Sequence, residues 1–184
     1  MITQTNAFVV VLDTCVLAPM PLCDTLLRLA EDPAFYMPRW SAGILEELRR
    51  VLLRMQYSDA QAERRITAMQ TAFEDACVTG YAELIPTMTN DEKDRHVLAA
   101  AVRAGAHAIL TENVKHFPAE SVKSYDIDVL TPDQFLAHQF HLNRDLLEEK
   151  LRGQAKARGI PYDALVRRLE KWAPSIPKLL LESA

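Results

Sequence analysis

Phe8-Val9-Val10-Val11-Leu12, followed at once by Asp13, is the stretch on which the fold turns. An apolar run rich in β-branched residues, with no polar alternation, fits a strand covered on both faces, and such strands belong to parallel sheets packed between helices. Pro21 opens a helix with Leu22, Leu26, Leu29 and Ala30 on one side, stopping before Pro33. Phe35-Tyr36-Met37 reads as a second short strand. Ser41 then caps a helix whose apolar positions Ile44, Leu45, Leu48, Val51 and Leu52 keep the helical period. Ser58 and Gln61 form a capping box before a helix with the stripe Ala62, Ile66, Met69, Phe73 and Cys77. Residues 81–85 predict a third strand, Asp91 opens a helix ended by Gly105, and strands follow at 106–111 and 127–130. The class is therefore α/β, three layers deep, with a mostly parallel central sheet flanked by helices. Beyond Pro132 the pattern is purely helical, with breaks expected near Gly153, Gly159-Ile160-Pro161 and Pro174. The predicted organisation is one domain over 1–140 and a helical C-terminal extension over 141–184.

Composition agrees with a globular chain. Of 184 residues, 49% are hydrophobic and 25% charged, enough apolar material to build a core without disulfides or metal staples. No run approaches the roughly 20 apolar residues of a membrane span, and residues 8–12 lack the basic start and length of a signal peptide. A cytoplasmic protein that does not use a membrane is expected. Cys15, Cys23 and Cys77 are an odd count without zinc-ligand spacing and read as small buried hydrophobes. The net charge of −4 argues against a chain held to nucleic acid by its overall field, but it is unevenly spread: residues 142–184 carry net +3 and residues 1–141 net −7. The acid-rich part is where chemistry is expected.

Open parallel sheets bind ligands beyond the carboxyl ends of their strands, which singles out Asp13. A haloacid-dehalogenase-type phosphatase needs a second Asp where this chain has Cys15. A dinucleotide or P-loop site needs glycines that residues 14–20 do not supply. Taken alone, Asp13 could simply cap the next turn. On the helix after Ser41, with Leu48 at 0° and about 100° per residue, Glu46 falls near 160° on the solvent side and Glu47 near −100°, at the edge of the buried stripe. Glu47 is thus the candidate for a cleft, and Glu46 a surface residue paired with Arg50. In Asn90-Asp91-Glu92-Lys93-Asp94-Arg95-His96, Asp91 is a natural helix cap, whereas Asp94 lies on the stripe of Val97, Leu98 and Ala101 and needs a partner. His96 points outward on the same wheel. Thr111 and Asn113 offer uncharged oxygens after the 106–111 strand. Two unit charges about 4 Å apart at an effective dielectric near 20 repel by roughly 4 kcal/mol, so carboxylates converging from Asp13, Glu47 and Asp94 would be costly without a cation such as Mg²⁺ or Mn²⁺.

Four segments in order carry a family resemblance: residues 9–17, Val-Val-Val-Leu-Asp-Thr-Cys-Val-Leu; 44–52, Ile-Leu-Glu-Glu-Leu-Arg-Arg-Val-Leu; 91–101, Asp-Glu-Lys-Asp-Arg-His-Val-Leu-Ala-Ala-Ala; and 109–113, Ile-Leu-Thr-Glu-Asn, with Phe117-Pro118 after it. Across residues 7–135 the chain resembles PIN-domain ribonucleases, especially the VapC-type toxins of bacterial toxin–antitoxin pairs. That resemblance implies a PIN-like fold and a metal-dependent endoribonuclease, with Asp13, Glu47 and Asp94 binding Mg²⁺ or Mn²⁺. Asn113 stands where the family often has a fourth acid, and Asp91 is the candidate to compensate for the missing charge. The implied catalytic set is Asp13, Glu47, Asp94 and Asn113, with Thr14 and Thr111 positioning water or a phosphate oxygen. No histidine base is expected, because metal-bound water supplies the nucleophile. Arg49, Arg50 and Arg54 are candidate RNA contacts, alongside the basic extension. The implied partners are an RNA substrate, a cognate antitoxin and a second copy in a homodimer. The rival from a binding class is a PIN scaffold that holds RNA or protein without cutting, for which Asn113 is the hint. A structure-specific DNA nuclease would need more acids and longer insertions, and a receiver-type phospho-acceptor lacks its neighbouring acid pair.

Overall fold

In the computed structural model, which describes residues 8–182, the valine run forms β1 (Val9–Leu12), the central strand of a five-stranded sheet. Its companions are β2 (Met37–Ser41), β3 (Cys77–Val78), β4 (Ala108–Leu110) and β5 (Asp128–Leu130), in the order β3-β2-β1-β4-β5, every pair parallel. Val10 stands opposite Pro38 on one side and Ala108 on the other. Val10, Val11 and Leu12 are fully buried, as a central strand covered on both faces requires. From β1 the chain winds outward through β2 and β3, then crosses back to place β4 on the other flank of β1. The winding reverses beside β1, and the crevice at the carboxyl ends of β1 and β4 is where such sheets receive ligands.

The helices are α1 (Thr14–Leu17), α2 (Met20–Ala30), α3 (Ala42–Arg54), α4 (Asp59–Ala72), α5 (Arg95–Arg103), α6 (Ala119–Val122), α7 (Pro132–Leu142), α8 (Arg144–Arg158), α9 (Tyr162–Leu169) and α10 (Ile176–Leu181). Ser41 Oγ accepts from the Ile44 N–H at 3.2 Å and so caps α3, and both halves of the Ser58–Gln61 capping box are made. Among the described residues no helix is long and apolar enough to cross a membrane.

The structure differs from the sequence reading in several places. The second strand begins at Met37 rather than Phe35, because Phe35 and Tyr36 are the buried approach to it. Residues 82–87 form a 3₁₀ helix with Pro86 inside, not a strand; the third strand is the two-residue β3. Cys77 is accordingly not on the stripe of α4, which ends at Ala72, and it is exposed; Cys15 is half-buried and Cys23 buried. Gly153 lies inside α8 without breaking it, whereas Gly159 does end that helix, in the left-handed conformation.

The C-terminal helices share the core of the sheet domain. Leu147, Leu151 and Ala155 of α8 are buried against α2, and a buried leucine contributes roughly 1.5–3 kcal/mol. Gln154 is tied to α2 through Thr25 Oγ1, which donates to its Oε1 at 2.7 Å, and through its own Nε2, which donates to the Pro21 carbonyl at 3.0 Å. Asp24 receives both Arg28 and Arg158, each at 2.8 Å.

Candidate active site

Asp13 follows β1 directly, and its backbone N–H still donates to the Leu110 carbonyl of β4 at 3.1 Å, so the strand ladder fixes its position. The side chain is 3% exposed. Oδ1 accepts from the Thr14 N–H at 2.7 Å, capping α1; Oδ2 accepts from Thr111 Oγ1 at 2.7 Å and from Cys15 Sγ at 3.3 Å. Thr111 is the residue after β4, and its hydroxyl also accepts from the Asn113 N–H at 3.0 Å. Burial raises the Asp13 pKa above its ordinary value; the bonds from Thr111, Cys15 and Thr14 oppose that rise, and the Asp94 charge adds to it. Burial, with the Asp13 charge beside it, pushes the Cys15 thiol up to about 12, so it remains an S–H donor near neutrality.

Glu47, on the second turn of α3, faces the same crevice. Thr14 Oγ1 donates to Glu47 Oε2 at 3.1 Å, so one threonine touches two carboxylates, Asp13 through its N–H and Glu47 through its hydroxyl. His96 Nε2 lies 3.6 Å from Glu47 Oε2. The imidazole is the main reason that the Glu47 carboxyl is held below its usual range, with smaller help from Thr14 and Arg50 against the cost of burial. Gly43 makes this approach possible: a Cβ there would stand 3.0 Å from Tyr81 Oη and 3.3 Å from His96 Nδ1, while its N–H donates to Tyr81 Oη at 3.1 Å.

Asp94 ends a 3₁₀ turn (Glu92–Asp94) just ahead of α5 and is 9% exposed. The partner that its inward position demands is His116, whose Nδ1 is 2.5 Å from Asp94 Oδ2. The Asp91 N–H donates to the His116 carbonyl at 3.1 Å, drawing Asp91 alongside. Among the described residues, Asp91, Asp94 and His116 form the group whose ligand atoms all lie within 4.8 Å of one another; it does not include Asp13 or Glu47. Asp94 therefore faces the Asp13 charge on one side and belongs to this tighter trio on the other.

A family model described as PIN domain matches residues 9–115, more than half of the chain. The chain belongs to the PIN-domain family. The chain is also 43% identical over 91 residues to a protein of Mycobacterium tuberculosis named "Putative ribonuclease VapC50", an alignment that covers 50% of this chain and 54% of that protein. The chain thus spans about half the length of the curated relative it matches. No solved structure matches it significantly.

Within this PIN domain the wheel-based choice between the two glutamates agrees with the coordinates: Glu46 is exposed and Glu47 turns inward. Thr14 and Thr111 touch the carboxylates, while Asn113 reaches Thr111 through its backbone. Asp91 is exposed and caps the 3₁₀ turn, its Oδ1 accepting from the Lys93 N–H at 3.1 Å. Arg49 pairs with Asp59, whereas Arg50 and Arg54 line a cavity beside Glu47. His96 does not point outward. The wheel gave α5 one covered face, but α3 packs on α5 as well as the sheet, and the imidazole meets Glu47 and Gly43 there. Two histidines face carboxylates, His96 toward Glu47 and His116 toward Asp94. The one available signal for His116 was its place in the loop that follows β4, three residues past Asn113. Nothing in the local pattern pointed to Cys15 as a partner of Asp13.

Proposed function

We propose that the chain is a metal-dependent endoribonuclease that hydrolyses phosphodiester bonds of RNA, acting as the toxin component of a type II toxin–antitoxin pair. The observation that carries the reading is that Thr14 touches the carboxylates of both Asp13 and Glu47 while Asp94 lies near enough for its charge to act on Asp13. The similarity to a protein named as a VapC ribonuclease supports the substrate class and the antitoxin partner. In this reading 1–140 carries the site and 141–184 braces it through α2.

The donor set fits a hard divalent cation. Carboxylate oxygens dominate, and Asp13 bears an electrostatic cost from burial and from Asp94 that a cation would remove. Asp13, Glu47 and Asp94 would hold Mg²⁺ or Mn²⁺, with Asp91 and His116 beside Asp94 and the Asn113 amide as an uncharged oxygen. A cation held there would provide Lewis-acid activation of water and neutralisation of phosphate charge. The protein's part is preorganisation. Thr14 and Thr111 hold the Asp13 carboxylate by both oxygens, Thr14 and His96 hold Glu47, and His116 holds Asp94, so little rearrangement remains when substrate arrives. The Cys15 thiol, protonated near neutrality, donates to Asp13 rather than acting as a nucleophile. Arg50 and Arg54 are the proposed RNA contacts on α3, whereas Arg49, the third candidate of the sequence, is paired with Asp59.

Cleavage of single-stranded RNA by purified protein with Mg²⁺ or Mn²⁺ tests the reading. Asp13→Asn and Asp94→Asn are expected to fold and to be inactive. If Asp13→Ala and Asp94→Ala cut as fast as wild type, the assignment is wrong; a wild type that binds RNA with either cation and never cuts it favours the binding scaffold.

A further inference from the structure

We propose that the cavity between α3 and the start of α5 is a phosphate subsite for single-stranded RNA, in which Arg50, Arg54 and Lys93 hold a backbone phosphate next to the one being cut. The inference rests on the ribonuclease reading for its substrate and adds to it where the strand leaves the carboxylates and which cations receive it.

The cavity measures about 670 Å³ and is lined by Glu47, Arg50, Leu53, Arg54, Lys93 and His96. Two walls built independently supply its charge. On α3, Arg50 and Arg54 follow Glu47 by three and seven residues, so all three lie on one helical face. Across from them, Lys93 comes from the 3₁₀ turn that carries Asp94, and His96 from the first turn of α5. Among the described residues, Arg50, Arg54 and Lys93 make no ion pair, whereas the neighbouring Arg49 is spent on Asp59. Glu47 is the one acid in the lining, and its carboxylate is already occupied by Thr14 and His96. Three cations without an ion-pair partner therefore face one carboxylate, which Thr14 and His96 hold and whose charge Arg50 offsets in part, in a space of the size that takes a small ligand.

The position of the cavity decides what the cations are for. Glu47 lines this cavity and is linked through Thr14 to Asp13, and Lys93 is the neighbour of Asp94 in the chain, so the cavity adjoins the carboxylates. A strand whose reacting phosphate lies over Asp13 and Asp94 meets repulsion from those acids along the rest of its backbone. The adjoining cationic cavity is where a neighbouring phosphate gains rather than loses energy. The lining offers no Phe, Tyr or Trp ring, its one imidazole, His96, is turned to Glu47, and Leu53 is its one apolar side chain, so this cavity grips the backbone rather than the base.

The test is fluorescence-anisotropy binding of a single-stranded oligoribonucleotide to the full chain in EDTA, where cleavage is halted, across a salt series. For single strands each neutralised phosphate contributes about −0.7 to the slope of log K against log salt. Arg54→Gln and Lys93→Gln are each expected to flatten the slope by a fraction of that unit, and the double variant by about 0.7 or more, with several-fold weaker binding at low salt. Arg54→Lys should retain the slope, since it keeps the charge, and thermal unfolding of every variant should match wild type because these side chains hold no structural partner. If the double variant binds with the wild-type slope while wild type cuts RNA, the subsite is refuted and the ribonuclease reading stands. If wild type neither binds nor cuts RNA in any buffer, both fall. An equal loss of slope in Arg49→Gln would also overturn the proposal, since it would mean diffuse charge rather than a seat.

Discussion

Thr111→Val is the perturbation that isolates the charge at the centre of the site. Thr111 is fully buried, and valine keeps its shape, so packing is preserved while a single hydroxyl is lost. That hydroxyl donates to Asp13 Oδ2 at 2.7 Å and accepts from the Asn113 N–H at 3.0 Å. Removing a hydrogen bond to a charged group costs about 1.5–3 kcal/mol, and an N–H left without its acceptor in a half-buried setting adds up to about 1, so the expected loss is roughly 2–4 kcal/mol. For a chain of this size that corresponds to a fall in Tm of roughly 4–16 °C. The pH dependence has a definite sign. Asp13 titrates above its ordinary value of 3.8 in the fold, so the folded chain holds this proton more tightly than the unfolded chain, and stability declines as pH rises through the window above 3.8. Because the Thr111 bond favours the charged carboxylate, its loss raises that pKa further. The penalty of Thr111→Val is therefore full once Asp13 is ionised in the fold and shrinks as pH falls toward the ordinary carboxylate range, because the raised Asp13 carboxyl is then protonated in the folded wild type and in the folded variant alike. Urea unfolding in EDTA near pH 7 and near pH 4 reads both quantities without a cation to restore the site. A loss below about 1 kcal/mol near neutrality, or an equal loss at both pH values, would refute the reasoning, because packing rather than charge would then account for it.

Further outcomes follow from the same geometry. His96→Leu removes the group that does most to hold Glu47 low; a depressed carboxyl stabilises the fold above its ordinary value and loses that contribution as pH falls, so the variant's deficit in chemical unfolding should be present near neutrality and vanish in acid. A deficit that grew on acidification would contradict it. Gly43→Ala should gain up to about 1 kcal/mol of helix propensity yet press on His96 and Tyr81, leaving the unfolding midpoint near wild type and lowering RNA cleavage; undiminished cleavage would show that the contact is slack. Ser58→Ala breaks the capping box of α4 and should cost about 1 kcal/mol in thermal unfolding without changing RNA cleavage. Deleting residues 142–184 uncovers the face of α2 that α8 buries, and size-exclusion and calorimetry should find an aggregating fragment; a monodisperse, cooperatively melting 1–141 fragment would overturn the view that α8 completes the core.

What could be read in the chain beforehand depended on periodicity. The unbroken valine run, the wheel that turned Glu47 inward and the stripe that buried Asp94 are signals carried within one element, and all three agree with the coordinates. Segments without a sustained period were misread. β3 is two residues long and too short to show alternation, while residues 82–87 are apolar enough to imitate a strand and are wound as 3₁₀ around Pro86. His96 was turned the wrong way because the wheel allows for one buried face, whereas α5 is also covered by α3, whose Glu47 and Gly43 meet the imidazole. His116 and Cys15 became visible only when β4 was laid beside β1, since their partners Asp94 and Asp13 come from other segments. A reading by element finds the residues that an element orients, and misses those that tertiary packing recruits.

The sheet order has a consequence for how such a protein is made. β1 is synthesised first, yet its flanking strand β4 emerges about a hundred residues later, bringing Thr111 and His116 with it. A chain still on the ribosome at Asp94 holds its acids on segments that have no sheet edge to meet at. In the proposed role the ribosome is working on the very kind of molecule that the finished protein would cut, and the winding of the sheet delays the hazard at least until β4 and the loop after it have left the tunnel.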